Sequence, residues 1–267
     1  MGQPLAIAAG EKIRLKKFDP GYTGKFKDKS ETERETAENA AKIGELVYKL
    51  YAEKKQSVLI VLQGIDTAGK DGTIRSILKE VNPQGIQIAS FKQPTEEELA
   101  HDFLWRIHQK VPGKGELRVF NRSHYEDVIV VRVHDLVPRE VWKRRYEQIN
   151  AFEKFLNSSG TTILKFFLHI SPEEQKARLK SRLADPNKRW KFSVGDLEER
   201  KFWDQYTEAF EEALTKCNTE TAPWHIIPAD HKWYRNLVIG RTVKKTLEAL
   251  NPQYPQHVEG IESIEFE

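Results

Sequence analysis

A glycine-rich segment carries the pattern G-x-x-x-x-G-K, in which the glycines are Gly64 and Gly69 and the lysine is Lys70. Glycines let the backbone curl so that its N–H groups point at phosphate oxygens, and the lysine adds a full positive charge. The apolar run before it, residues 57–63, is typical of a buried strand, and a helix is predicted after it. This context favours a phosphate site over a plain tight turn. The predicted phosphate-binding residues of this segment, the P-loop, are Gly64, Thr67, Ala68, Gly69, Lys70, Asp71, Gly72 and Thr73.

The P-loop departs from the usual pattern just after the lysine, where Asp71 replaces the Ser or Thr that commonly ligates Mg²⁺. A second carboxylate, Asp66, lies inside the loop. Phosphoryl transfer needs a metal ion that bridges phosphate oxygens. We therefore predict Asp66 as the metal ligand, directly or through water, with Thr73 as a further candidate. Two interpretations of Asp71 stay open, facing outward or capping the helix.

A second polar group, Asn121, Arg122 and Glu126, follows the predicted strand 115–120. Ligands of open α/β sheets bind beyond the carboxyl ends of the strands, so we expect these side chains in the same crevice as Lys70. An arginine there can stabilise the charge on a transferring phosphoryl group. The competing interpretation makes Arg122 a surface ion-pair partner of a nearby carboxylate. The three residues are predicted to hold the acceptor nucleotide.

Three more arginines are candidate phosphate ligands. Arg132 either reaches the crevice or pairs with Asp135. Arg178 and Arg182 are four residues apart on a predicted helix and so share a face. They lie in a basic segment in which Asp185-Pro186 interrupts the helix. We predict that residues from about 178 to 202 form a lid that closes over phosphates. A solvated helix face with a basic patch is the alternative.

Five apolar segments alternate with helical patterns along the chain. This alternation predicts a single α/β domain, a three-layer α/β/α sandwich with a five-stranded parallel sheet. An N-terminal arm, residues 1–30, and an acidic tail, residues 256–267, flank it. The predicted strands are 57–63, 86–91, 115–120, 161–169 and 224–228, and the predicted helices are 31–54, 70–80, 95–111, 138–156, 171–184, 196–216 and 233–250.

Composition narrows the function classes. The 267 residues include 43 basic and 40 acidic side chains, so a basic site must come from local clustering rather than net charge. The single cysteine, Cys217, cannot form an internal disulfide. No stretch approaches the roughly 18 apolar residues of a membrane span, and no secretory signal is visible. We therefore expect a cytoplasmic protein that binds neither membranes nor nucleic acid.

Three motifs together resemble the family-2 polyphosphate kinases: Gly64-x-Asp66-x-x-Gly69-Lys70, Asn121-Arg122-Ser123-x-Tyr125 and Trp190-Lys191-Phe192. The similarity extends from about residue 11 to residue 255. It implies a thymidylate-kinase-like P-loop fold with a helical lid, in a homo-oligomer. It also implies reversible phosphoryl transfer between inorganic polyphosphate and nucleotides with Mg²⁺ or Mn²⁺. Carried over by motif, the catalytic residues are Asp66, Lys70, Arg122 and Arg182.

Asn121 distinguishes this chain from many members of that family, which have aspartate there. Together with Glu126 it resembles the class III subgroup, which phosphorylates both AMP and ADP. A carboxylate at position 121 would repel the extra phosphate of ADP, whereas an amide would not. The expected substrates are therefore polyphosphate with AMP or ADP, and metal binding then depends more on Asp66.

Two other functions fit parts of the sequence. The first is an ATP-dependent nucleoside-monophosphate kinase with the same fold. The second is a P-loop module that binds nucleotides without catalysis. The segments around Asn121 and Trp190 count against the nucleoside-monophosphate kinase. A binding module for nucleic acid is disfavoured because the sequence has no nucleic-acid fold signature.

Overall fold

The computed structural model describes residues 7–256. The start of the predicted arm and all but the first residue of the predicted acidic tail lie outside the described residues. Within the described part, none of the helices has the length and apolar content needed to span a bilayer.

The centre of the fold is a five-stranded parallel sheet in the order β2-β3-β1-β4-β5, which confirms the predicted fold class. Ile60 in β1 lies opposite Val119 on one side and Leu164 on the other. Every residue of β1 is buried, which explains its continuous apolar run. The strands are Ser57–Gln63 (β1), Ile86–Ser90 (β2), Leu117–Asn121 (β3), Thr161–His169 (β4) and Trp224–Pro228 (β5).

Helices cover both faces of the sheet, as predicted. Side chains alternate along β1, so Val58 and Ile60 pack toward one face, and Leu59 and Val61 toward the other. The first face is covered by α1, α2 and α10, and the second by α5, α6 and α9. The α-helices are Ser30–Glu53 (α1), Lys70–Ile77 (α2), Glu96–Ala100 (α3), Trp105–His108 (α4), Glu126–Val133 (α5), Arg139–Ser158 (α6), Pro172–Ala184 (α7), Gly195–Glu199 (α8), Trp203–Lys216 (α9) and Lys232–Leu250 (α10).

Three helical segments differ from the sequence-based prediction. The predicted helix 95–111 begins with the expected capping box at Thr95 but separates into α3 and α4, where the Asp102 carboxylate accepts from the Leu104 N–H. The predicted helix 196–216 separates into α8 and α9 around a 3₁₀ turn, Arg200–Phe202. Helix α5 was missed because its β-branched residues lower helix propensity.

A buried ion pair connects the sheet to the helix layer that contains α6, beneath the carboxyl end of β3. The Lys165 Nζ on β4 lies 2.6 Å from Glu153 Oε2 on α6 and donates to the Tyr125 hydroxyl at 2.8 Å. Lys165 and Glu153 are almost completely buried. Such charges are tolerated only when paired and hydrogen-bonded, so this network holds the segment after β3 against α6.

Candidate active site

The predicted site residues converge on one cleft of about 740 Å³ at the carboxyl ends of the strands. The P-loop, the end of β3 and the segment after α7 border it. This is where an open α/β sheet binds its ligands. Ten predicted residues line the cleft: Asp66, Thr67, Gly69, Lys70, Asp71, Gly72, Asn121, Arg122, Arg178 and Arg182. Gly64 and Glu126 border a small adjoining pocket of about 20 Å³, and Ala68 and Thr73 are buried within the loop.

The backbone of the P-loop needs glycine at two positions. Gly64 has φ +150° and Gly69 has φ +108°, a region that residues with a Cβ rarely adopt. A Cβ at position 64 would lie 2.8 Å from the Leu168 carbonyl oxygen, and one at position 69 would collide with the Arg235 guanidinium. Helix α2 begins directly after Gly69, so its positive N-terminal end adjoins the cleft.

Lys70 folds back over the loop that carries it. Its Nζ donates to the Gly64 carbonyl oxygen at 2.7 Å, and the residue is only 9% exposed. Burial, with the nearby Arg122 charge, lowers the pKa of Lys70 to about 8. Among residues 7–256 the ammonium forms no salt bridge, although the charge of Asp66 partly offsets the lowering, so it is placed to bind an anion.

Asp66 and Arg122 face each other across the cleft as an ion pair. Burial alone would raise the pKa of Asp66, but the charges of Arg122 and Lys70 outweigh it and hold that pKa below its usual value. Arg122 also bonds Glu126 at 3.0 Å. Arg122 has φ +61°, a strained conformation for a residue with a side chain, and such strain is concentrated at functional sites. Arg122 thus pairs with Glu126, as one sequence interpretation expects, and also lies in the cleft, where its role in phosphoryl transfer stays a prediction.

Asp71 faces the cleft rather than capping α2. Its carboxylate accepts from the Asn121 Nδ2 at 2.9 Å and lies 3.4 Å from the Lys191 Nζ. Burial opposes ionisation, but these two donors hold the pKa of Asp71 below its ordinary value. The end of β3, the start of α2 and the predicted lid therefore meet at this carboxylate.

The two arginines of α7 have different surroundings. Arg182 lies 3.5 Å from the Asp196 carboxylate and borders the cleft. Arg178 is buried, and its guanidinium donates to the carbonyl oxygens of Thr67 at 3.0 Å and Ala68 at 2.9 Å. Arg178 therefore supports the P-loop backbone, while Arg182, although paired with Asp196, is the more exposed arginine of this helix at the cleft.

Arg132 is not brought to the cleft, contrary to the sequence prediction. It lies on the side of α5 that faces α9, where it bonds Glu212 at 2.8 Å and stacks over the Trp142 ring at 5.0 Å. Its guanidinium forms ion pairs with Glu208 and Glu212 and not with Asp135, the alternative partner. Arg132 therefore lies outside the site.

Sequence reasoning missed a basic group at the start of α10. Arg235 is 2% exposed, and its Nη1 donates to the Ala68 carbonyl at 3.1 Å. Among residues 7–256 its guanidinium bonds Asn236 and the Ala68 carbonyl and no carboxylate, and burial with the Arg178 charge lowers its pKa. Lys232 and Lys188 border the same part of the cleft. Ligands bind beyond the carboxyl ends of the strands, and Lys232 and Arg235 both follow β5 closely. The sequence could therefore have indicated these two residues.

The P-loop offers oxygen ligands suited to a hard divalent cation. The hydroxyls of Thr67 and Thr73 are buried and have no hydrogen-bond partner in the described part of the chain. Asp66 adds an ionised carboxylate. Among residues 7–256, no group of three or more His, Cys, Asp or Glu is arranged to hold a metal. The residues therefore fit a cation that takes part of its ligands from phosphate and water, as Mg²⁺ does.

Comparison with known proteins identifies the relatives of this chain. The family model described as polyphosphate kinase 2 matches residues 26–255. An AMP/ADP-polyphosphate phosphotransferase of Meiothermus ruber is 52% identical and covers 96% of both chains. An ADP-polyphosphate phosphotransferase of Rhodopseudomonas palustris is 40% identical over 94% of this chain and 91% of its own. The crystal structure of polyphosphate kinase 2 from Arthrobacter aurescens TC1 superimposes with a TM-score of 0.92 at 42% identity, covering 97% of this chain and 93% of that one.

Proposed function

The chain belongs to the polyphosphate kinase 2 family, and on that premise we propose that it transfers the terminal phosphoryl group of inorganic polyphosphate to AMP and to ADP. The products are ADP and ATP, and the transfer is reversible. The observation that carries this proposal is the convergence of Lys70, Arg122 and Asn121 in one cleft. The relative of the same length that is named for both AMP and ADP supports the dual acceptor.

The reaction needs positioning more than acid–base chemistry. An oxygen of the acceptor phosphate attacks the terminal phosphorus of polyphosphate, and a new P–O bond forms there. The bond between that phosphorus and the bridging oxygen breaks, so the shortened polyphosphate leaves with the electron pair as an oxyanion. The attacking oxygen is already anionic, so no general base is required.

Each cleft residue has a proposed part in that transfer. Lys70 and the N–H groups at the start of α2 hold donor phosphates. Arg122 and Arg182 stabilise the charge that spreads over the transferring group. For Arg122 this requires it to leave its ion pair with Asp66 or to share it. Asn121 presents a neutral amide to the acceptor phosphate.

We propose Mg²⁺ or Mn²⁺ as the metal, held by Asp66 and by the Thr73 hydroxyl together with phosphate oxygens. Such a cation would act as a Lewis acid and neutralise charge that develops on the phosphates during transfer. Asp66 remains ionised for this role because Arg122 and Lys70 hold its pKa low against the effect of burial.

The donor chain is proposed to extend toward α10. Lys188, Lys232 and Arg235 form the basic border of the cleft on that side. The exposed N-terminal lysines, Lys16 among them, are not among the residues that line it. A border of cationic groups suits a polyanion better than a closed pocket does.

A homo-oligomer and a cytoplasmic location remain predictions. The aromatic residues Trp142, Tyr146 and Phe152 on α6 pack in the core, so they do not supply an interface. Any assembly must use other surfaces of the molecule.

The choice of donor tests the proposed function. Purified protein is incubated with Mg²⁺ and AMP, and either long-chain polyphosphate or ATP is the sole donor. We expect ADP from polyphosphate at a rate well above that from ATP, and loss of the polyphosphate reaction in Lys70→Ala. Faster transfer from ATP would favour the nucleoside-monophosphate kinase, and no transfer from either would favour a binding module.

A further inference from the structure

Trp190 is the most exposed tryptophan of the chain. It is 77% exposed, whereas Trp142 and Trp224 are 6% and 1% exposed, and Trp105, Trp203 and Trp233 are half-buried. All six tryptophans fall within residues 7–256. Leaving a large aromatic ring in water forgoes the free energy of its burial, and at a cleft the exposed ring is open to contact with a ligand.

Two contacts hold the Trp190 indole ring in place at the edge of the cleft. Its Nε1 donates to the Asn187 carbonyl at 3.1 Å, and the Lys191 Nζ lies 5.0 Å from the ring centroid. Lys191 is in turn 3.4 Å from Asp71, which bonds Asn121. The ring is therefore tied to the side of the cleft where the acceptor phosphate is proposed to bind.

The remaining cleft offers little for a nucleotide base. Its volume of about 740 Å³ is large enough for a nucleotide, but its border is mainly glycine, polar and charged residues. Among the described lining residues the only other aromatic is Phe91, which is 8% exposed and packs edge-on against Phe120 at 4.9 Å. Among the described residues that line the cleft, Trp190 thus provides the one aromatic surface available to a flat base.

We propose that Trp190 is the stacking platform for the base of the acceptor nucleotide. This inference rests on the proposed function, because it names the base contact of the same acceptor site. Every base has a π face, so stacking tolerates changes of base. The acceptor site is therefore expected to accept guanine as well as adenine nucleotides, with weaker binding of pyrimidines because their rings are smaller.

Steady-state kinetics with two variants measure the contact. Trp190→Ala should raise the KM for AMP about 10- to 100-fold, the range expected for one stacked base. The KM for polyphosphate should change less than about two-fold, because the donor phosphates bind elsewhere. Trp190→Phe keeps an aromatic face and should restore most of the AMP affinity. If the ring had a purely structural role, Trp190→Ala would change the KM for AMP and the KM for polyphosphate by similar factors.

Fluorescence tests the same contact without turnover. AMP alone, titrated into the wild-type protein, should quench the exposed-tryptophan emission, and tripolyphosphate at the same concentration should not. The quenching should disappear in Trp190→Phe, in which the five other tryptophans remain. Quenching that persists in Trp190→Phe would overturn the proposal.

The two tests separate this inference from the proposed function. Quenching by AMP in a protein that does not use polyphosphate would support stacking and contradict the proposed function. Polyphosphate-dependent activity in Trp190→Ala with a KM for AMP within about two-fold of wild type would overturn stacking and leave the proposed function intact. Because the ring is exposed, the variant should keep its native unfolding midpoint in urea, which confirms that the comparison is between folded proteins.

Discussion

At the residue scale, the environment of Lys70 predicts an alkaline limit on donor binding. Its pKa is about 8, so the free protein loses the ammonium as pH rises above that value. A bound polyanion favours the charged form, so kcat/KM for polyphosphate should fall above about pH 8 while kcat falls only at higher pH. The measurement is the pH profile of both constants.

Lys70→Arg is the control for that profile. A guanidinium stays protonated throughout the range, so the alkaline limb of kcat/KM should disappear even though the activity is lower. An unchanged limb in Lys70→Arg would assign the titration to another group.

Asp66→Asn should separate catalysis from nucleotide binding. The substitution keeps the side chain's shape but removes the ionised group proposed to hold the metal. Turnover should fall about 100-fold or more, with AMP affinity within a few-fold of wild type, because the loss is specific to the transition state. The measurement is kcat at increasing Mg²⁺, with AMP binding measured calorimetrically. Unchanged turnover would remove Asp66 from the mechanism.

Asn121→Asp should shift acceptor preference toward AMP. The new carboxylate would lie where the amide now contacts Asp71 at 2.9 Å, close to the acceptor phosphates. ADP carries more negative charge than AMP, so repulsion of roughly 1 kcal/mol would lower the ADP/AMP ratio of kcat/KM about five-fold. Asn121→Ser, which adds no charge, should keep the ratio. A constant ratio in Asn121→Asp would contradict the electrostatic account of dual acceptor use.

At the element scale, the pair Glu153–Lys165 connects α6, β4 and the segment that presents Arg122. Glu153→Gln would leave the Lys165 ammonium buried without a counter-charge, at 0% exposure. The free energy of unfolding should fall by about 3–5 kcal/mol. The double variant Glu153→Leu with Lys165→Met removes both charges but leaves the Tyr125 hydroxyl and the Cys217 carbonyl without these partners, so it should recover only part of that loss. Urea denaturation measures the unfolding free energy of the single and the double variant. A loss below about 1 kcal/mol in Glu153→Gln would show that the ion pair does not stabilise the fold.

The five strands and their order along the chain followed from local patterns, but the directions in which helix side chains point did not. The glycine spacing predicted a loop between β1 and α2, which the structure has, because the turn needs positive φ at Gly64 and Gly69. Arg132 was misplaced because its direction depends on how α5 packs against α9, and a neighbouring sequence pattern carries no such information. Arg235 was missed for the converse reason, since its contact with the Ala68 carbonyl spans 167 residues of sequence.

At the scale of the whole molecule, the residues with proposed roles all lie at the carboxyl ends of the parallel strands. The carboxyl end of β1 gives the P-loop, that of β3 gives Asn121 and Arg122, and α10 begins shortly after β5. Parallel strands bring these distant segments to the same edge, so a single cleft can hold donor, acceptor and lid. This arrangement is what the proposed function requires, namely two successive transfers at one site, with AMP and then its own product as acceptor.

The time course of one reaction tests that claim most directly. AMP, polyphosphate and Mg²⁺ are mixed with the protein in the absence of ATP, and AMP, ADP and ATP are followed together by chromatography. The account predicts that ADP rises first and then declines as ATP accumulates. ADP that accumulates without ATP would contradict the dual acceptor site, and the absence of both products would contradict polyphosphate-dependent transfer itself.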